Sequence, residues 1–192
     1  MLPLVLASSS IYRRELLSRL RLSFTCASPS IDETPRHGED ADSLVRRLAT
    51  EKAGALAREH PQHLIIGSDQ VAVLNGQILG KPHDLPRARA QLQSASGSSV
   101  TFLTGLALLN TSSGIPQVDC IPFRVHFRQL DEACIERYLA AEQPFDCAGS
   151  FKSEGLGVSL FRSTEGEDAT SLIGLPLIRL VDMLLAEGIQ IP

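Results

Sequence analysis

The chain has 192 residues, 43% hydrophobic and 21% charged, a balance that suits one sizeable globular domain with its own core and argues against long disorder. Its formal net charge of −4 disfavours non-specific binding to nucleic acid or to an anionic membrane surface, while leaving room for a small basic cluster aimed at one phosphate group. Cys26, Cys120, Cys134 and Cys147 are widely spaced with no CxxC pair, which speaks against a zinc site or a disulfide framework and for a reducing compartment.

Residues 4–6 predict a first short strand, followed by the turn Ala7-Ser8-Ser9-Ser10, where a serine can cap a helix carrying Leu16, Leu17 and Leu20 at helical spacing. The apolar run of MLPLVLASSS is short and has no basic region before it, unlike a signal peptide. Residues 28–38, rich in Ser, Pro and charge, read as a loop. A long helix is expected over 42–60, with Leu44, Val45, Leu48, Ala49, Ala53 and Leu56 on one side and Pro61 as its stop. Strand 64–66, the interruption GSDQ and strand 71–74 come next, and Asn75-Gly76 is a two-residue hairpin signal returning through 77–79.

Asp84 can cap a helix over about 85–95, closed by Gly97. The longest strand candidates are 100–109 and 118–127, joined by a Ser/Gly/Pro loop. In the second, Phe123, Val125 and Phe127 alternate with Arg124, His126 and Arg128. A helix over 131–141, a glycine-punctuated segment AGSFKSEGLGVSLF, a last strand near 158–161 and a helix after Gly174-Leu175-Pro176 complete the pass. Interleaved strands and helices with a hairpin predict an α/β fold built on a mixed twisted sheet flanked by helices, as a single domain over 1–192. No apolar stretch approaches the ~20 residues a membrane-spanning helix needs, so a soluble, cytoplasmic protein is expected.

Asp69 carries the strongest chemical signal. It sits in LIIGSDQVAVL, a run of the kind that forms a doubly buried strand, where an ionised carboxylate is costly unless paired or metal-bound. Gly67 and Ser68 would bend the strand so that Asp69 faces outward, and the plainer reading is an Asp exposed in that bend. Glu33, after Asp32 in a loop, could join Asp69 as a hard oxygen ligand for magnesium or manganese, which bind through one or two carboxylates plus substrate phosphates. Arg13 and Arg14 stand in the first turn of the first helix, where cations oppose the macrodipole but the backbone attracts anions. Lys52 falls in fours with Leu44, Leu48 and Leu56, and by itself reads as a lysine snorkelling from the apolar stripe. Lys81, in a loop after the hairpin, reads alone as a solvated charge. Lys152 and Glu154, among the glycines of 149–157, suit a mobile or ligand-facing loop, the plainer reading being a hairpin turn with charged tips. Together these residues are consistent with a metal-dependent phosphate site. No Ser-His-Asp arrangement or Walker-type glycine loop stands out.

The ordered blocks LASSSIYRRELL (6–17), IDET (31–34), KA (52–53), GSDQV (67–71), GKP (80–82), AGSFKSEGLG (148–157) and GLPL (174–177) resemble the Maf family of nucleotide pyrophosphatases across nearly the whole chain. The resemblance implies an α/β fold with a central cleft between two lobes, a homodimer, and hydrolysis of a nucleoside triphosphate to monophosphate and pyrophosphate. By position it implies Asp69 as general base and metal-site carboxylate, and Glu33 as its acidic partner. It also implies Arg13, Lys52 and Lys81 as phosphate-binding residues, Ser8 as the serine of a phosphate-facing turn, and Arg14 as the adjacent motif arginine. The cofactor implied is a divalent cation: magnesium, manganese or cobalt.

The chain departs from the commonest pattern at Tyr12, Gln70 and Glu154, where proline, threonine and glutamine are usual. Those departures resemble the branch acting on 7-methyl-GTP, with a role in keeping modified nucleotides out of nucleic acids. Guanine presents two adjacent donors that one carboxylate can accept, and methylation at N7 makes the ring cationic, favouring an aromatic neighbour. Tyr12 and Glu154 would supply both. The alternatives are a Maf enzyme for dTTP, UTP or a broader set of triphosphates, and a nucleotide-binding regulator of cell division and septum formation. RNA binding through Arg124, His126 and Arg128 is weak in an acidic chain with few aromatic residues.

Overall fold

Leu4, Val5, Leu6 and Ala7 are all buried, as a strand inside a parallel arrangement demands. In the computed structural model, which describes residues 2–191, they form β1 (Leu4–Ala7) of a seven-stranded mixed open sheet flanked by helices. The chain continues through α1 (Ile11–Ser18), β2 (Phe24–Ala27), α2 (Ala41–Ala55), β3 (Leu64–Leu74), β4 (Gln77–Leu79) and α3 (Leu85–Ala95). Then follow β5 (Ser99–Asn110), β6 (Ile115–Phe127), α4 (Glu132–Glu142), two 3₁₀ turns, β7 (Phe161–Glu165), α5 (Ala169–Ile173) and α6 (Leu177–Ala186). The strand order is β2-β1-β3-β5-β6-β7, with β4 on β3. β1 runs parallel to both its neighbours, Leu4 lying opposite Phe24 on one side and Leu64 on the other. The expected α/β class and mixed sheet are what the chain forms. No helix among the described residues is long and apolar enough to cross a membrane.

Several expectations need correction. β3 runs unbroken through GSDQ, so Gly67 does not bend the chain out of a strand. A Cβ on Gly67 would run into the carbonyl oxygen of Ala49, and one on Gly105 into that of Val45. These two glycines let α2 sit against the backbones of β3 and β5, and that close approach is why neither position holds a side chain. β2 was not foreseen, because FTCA is largely exposed and carries little apolar signal. β7 falls at Phe161–Glu165 rather than 158–161, since Leu156–Leu160 winds into a 3₁₀ turn first. α2 closes at Ala55, with its Asp40 side chain accepting from the Ser43 amide at the other end.

The fold divides into two compact units. The first comprises the chain up to Asp69, Thr104–Ile121 and the segment from Gly174 on; the second comprises Gln70–Leu103 and Pro122–Ile173. In the first, Val5, Ala7, Ala53, Leu56 and Ile65 pack together between sheet and α2. In the second, Phe151 lies at 5.9, 5.5 and 5.6 Å (ring centroids) from Phe102, Phe127 and Phe161, at the middle of an aromatic cluster over α3 and α4.

Candidate active site

The site in the first unit grows from the α2 packing. Gly67 meets the backbone of Ala49 and Ala53, and two residues on, on the same face of β3, comes Asp69. Lys52, within one turn of Ala49 and Ala53, is thereby brought to that carboxylate. Its Nζ donates to Asp69 Oδ1 at 2.6 Å and stands 3.0 Å from Glu33 Oε1. The side chains of Lys52 and Asp69 are only 9% and 10% exposed, so Lys52 does not snorkel to solvent but ends between two carboxylates. The pairing removes the cost that made Asp69 conspicuous. Deleting one partner of such a buried pair costs about 3–5 kcal/mol, because it leaves the other charge uncompensated.

Around this centre, the serine turn and α1 supply hydrogen-bond donors and positive charge. Ser10 caps α1 by accepting from the Arg13 amide, and Ser8 Oγ accepts from the Ser10 amide at 3.1 Å. Arg13 Nε donates to the Gly174 carbonyl at 2.8 Å, and the Ser68 hydroxyl lies 2.9 Å from the same oxygen and from the Gly105 carbonyl. Gly174 holds φ +115°, a backbone conformation that side chains rarely adopt. Burial pulls the Arg13 guanidinium below its ordinary pKa, while Asp69 and Glu33 pull it back up. Arg13 therefore belongs electrostatically to the same centre as the two carboxylates. Tyr12 is half-buried beside it, and Arg14 is exposed. Ser8, Tyr12, Arg13, Arg14, Glu33, Lys52 and Asp69 thus all lie in the first unit.

Gln70, Lys81 and Glu154 belong to the second unit. The Gln70 amide nitrogen donates to the carbonyls of Ser171 and Leu172 at 2.7 and 3.2 Å, which ties it to the last turn of α5. Lys81 is exposed, as expected of a loop lysine. The carbonyl of its neighbour Gly80 accepts from Gln91 Nε2 at 3.1 Å, while Gln91 Oε1 accepts from Ser150 Oγ at 2.5 Å. One α3 side chain therefore links GKP to the start of AGSFKSEGLG. Further along that block, the Lys152 amide donates to the Tyr138 hydroxyl at 3.0 Å and the Leu156 amide to Glu142 Oε1 at 2.8 Å. Glu154 itself is exposed, its Oε2 accepting from Ser153 Oγ at 3.1 Å.

Sequence reasoning missed Gln91, Tyr138 and Glu142, whose partners are distant in the chain. It also missed a row across three strands: Ser99 Oγ lies 2.7 Å from His126 Nδ1, and His126 Nε2 lies 2.9 Å from Glu165 Oε1. A hydrolytic triad uses the ring nitrogens the other way round, with serine at Nε2 and carboxylate at Nδ1. The row reads as cross-strand pairing.

Asp69 and Glu33 fit a magnesium-type cation. Both are hard oxygen donors, and both reach a single positive centre, the Lys52 ammonium. Among the described residues no group of three or more His, Cys, Asp or Glu side chains could hold a metal by itself. Two carboxylates with the remaining positions left to phosphate oxygens and water is the arrangement that magnesium favours at nucleotides.

The protein-family model described as Maf-like protein matches residues 3–187. The chain belongs to the Maf family. It is 76% identical over 189 residues, 98% of each chain, to the 7-methyl-GTP pyrophosphatase of Pseudomonas savastanoi pv. phaseolicola (strain 1448A / Race 6). It is similar at 72% identity, again over 98% of each chain, to the protein of that name from Pseudomonas aeruginosa. A relative of the same name from Alcanivorax borkumensis is 59% identical over 98% of this chain and 96% of its own. Within this Maf chain, five of the seven blocks quoted from the sequence have their key residues in the first unit, around the Asp69–Lys52–Glu33 centre.

Proposed function

We propose that this chain hydrolyses 7-methyl-GTP to 7-methyl-GMP and pyrophosphate, keeping the modified nucleotide out of nucleic acids. The observation that carries the reaction class is the buried Asp69 carboxylate, held on Lys52 beside Glu33 with Arg13 in its field. Support for the substrate comes from the shared name of relatives that match along nearly the full chain. The three departures at Tyr12, Gln70 and Glu154 point the same way.

In this reading Asp69 orients a water and takes its proton as the water oxygen attacks the α-phosphorus. The bond from the α-phosphorus to the bridging oxygen breaks, and pyrophosphate leaves with the electron pair. Lys52 and Arg13 stabilise negative charge that grows on the phosphoryl oxygens, and Lys81 adds a further cation. Ser8, in the capped turn, presents its hydroxyl as a donor to a phosphate, its amide being held by the Leu6 carbonyl. Asp69 and Glu33 would hold a divalent cation (magnesium, manganese or cobalt), which supplies Lewis-acid stabilisation of the same oxygens when bound. Glu154 accepts from the N1–H and N2–H of the guanine edge, and Tyr12 offers a π-face to its cationic ring. Gln70, tied to Ser171 and Leu172, sets the position of α5.

The test is pyrophosphate release from a panel of nucleoside triphosphates with each metal. The expected result is fastest turnover of 7-methyl-GTP, and a preference for dTTP or UTP overturns the substrate assignment. Glu154→Gln is expected to narrow the preference for 7-methyl-GTP over UTP; an unchanged ratio removes Glu154 from base recognition.

A further inference from the structure

We infer that Arg47 is a positioning residue for Glu33, acting through a clamp that fastens the loop between β2 and α2 to the helix that also carries Lys52. The inference rests on the reading of Glu33 and Asp69 as the acidic pair of the site. Glu33 is 58% exposed, in a loop containing Pro29, Pro35 and Gly38, so its own surroundings do little to fix it. Lys52 can hold it only if the loop stays within reach.

Arg47 supplies that constraint. Its Nε donates to Glu39 Oε1 at 2.6 Å and its Nη2 to Glu39 Oε2 at 2.8 Å, a bidentate pair. The same Nη2 donates to the Thr34 carbonyl at 3.2 Å, one residue after Glu33, and Nη1 donates to Glu51 Oε2 at 2.9 Å. Arg36 closes the network, its amide donating to Glu39 at 2.9 Å and its guanidinium to Glu51 at 3.0 Å. Arg47 and Glu39 are only 13% and 9% exposed at the side chain, unlike an ordinary surface ion pair.

The position of these residues on α2 gives the clamp its consequence. Arg47 and Glu51 are one turn apart, and Lys52 follows Glu51 directly. One rigid helix therefore sets both Lys52 against Asp69 and the loop against Lys52. A planar five-donor fork is needed to reach Glu39, Glu51 and Thr34 together, and lysine cannot replace it.

The experiment compares Arg47→Met, Glu33→Gln and the double variant, using the triphosphate turned over fastest by the parent protein. Arg47→Met is expected to lower kcat/KM by about tenfold, with hydrogen exchange quickened over residues 31–39 and unchanged in β3. The double variant is expected to match Glu33→Gln within a factor of about two, because a residue that acts through Glu33 has nothing left to position. Arg47→Lys should recover little of the loss. If the two losses multiply, or if a folded Arg47→Met keeps parental activity while Glu33→Gln is impaired, the inference is overturned. If Glu33→Gln itself keeps parental activity, the site reading fails and the clamp loses its object. Should Arg47→Met not fold, Glu39→Gln, which leaves the Thr34 and Glu51 contacts in place, takes its part with the same criteria.

Discussion

The two units each bind a loop bearing candidate site residues to a neighbouring helix, but with different chemistry. In the first, the loop carrying Glu33 is held by charges: Arg47, Glu39, Glu51 and Arg36. In the second, Gly80 beside Lys81 is joined to the start of the Glu154 loop by neutral groups, the Gln91 amide and the Ser150 hydroxyl. The rest of that loop is held by the Tyr138 phenol and the Glu142 carboxylate, which accepts from the Leu156 amide and stands 3.7 Å from Lys152 Nζ. The difference follows from what each loop must present. A carboxylate aimed at a buried lysine sits well in a field where charges are already balanced, whereas the carboxylate proposed to read guanine stands in a loop whose lysine, Lys152, is paired with Glu142. The Arg47 clamp should therefore respond to pH and salt, and the Gln91 latch, which has no ionised member, to neither.

The largest effect expected from breaking the charged unit is at its centre. Asp69→Asn removes the proposed base and leaves Lys52 facing a neutral amide, and its rate of pyrophosphate release should fall by about 10²–10⁴. The fold should persist, since the amide still accepts from Lys52 and Glu33, 3.0 Å from the ammonium, still balances its charge. Activity within tenfold of the parent would dismiss Asp69 as the base. No variant of the neutral latch should approach that loss.

The next effect is on stability. Gly67→Ala pushes a methyl group into the Ala49 carbonyl, and overpacking of this kind typically costs about 1–3 kcal/mol. Gly157→Ala, in the second unit, would meet the Lys152 carbonyl and the Phe151 ring instead. It should disturb the Glu154 loop, and so substrate preference, more than the midpoint of urea unfolding. Equal loss of stability from the two would show that the helix-on-sheet contact has no special standing.

The same two glycines show what the sequence could and could not disclose. An acidic residue inside an apolar run announced Asp69, because local cost is legible in local context. Gly67 was visible, but its reason was not: the obstacle is the backbone of a helix some eighteen residues upstream. Lys52 was legible only as a lysine beside an apolar stripe, since its two partners come from a strand and a loop outside that helix. β1, α2, α3 and the β3–β4 hairpin followed from periodicity, caps and Asn75-Gly76. β2 and β7 did not, being largely exposed edge strands without an apolar alternation. Arg47 and Gln91 were unreadable for one reason: each is an ordinary polar residue on a helix until the chain folds its loop partners onto it.

A smaller effect is expected from the neutral latch. Gln91→Leu removes one of the two donors to the Gly80 carbonyl, which keeps the Gly149 amide, and strands the Ser150 hydroxyl, a loss of about 1 kcal/mol at most sites of this type. Because no ionised group takes part, the change in unfolding midpoint should be the same in low and high salt and across neutral to mildly acidic pH. A loss that shrinks in salt would contradict the contrast between the units.

The gentlest perturbation separates the two devices by acid alone. The Arg47 hydrogen bonds, with the Arg36 amide, hold the Glu39 carboxyl down to about 2, well below the ordinary glutamate value. A carboxylate with a depressed folded-state pKa stabilises the fold fully above its unfolded value. That contribution fades as pH falls through the window between the unfolded value and about 2. Thermal unfolding of the parent protein should therefore lose ground to Glu39→Gln on acidification from pH about 5 towards 2, because the glutamine has no charge to lose. Gln91→Leu should show no such convergence with the parent over the same range. If Glu39→Gln and the parent protein kept a constant gap in melting temperature throughout, the loop would be held by shape rather than by charge, and the two units would hold their loops alike.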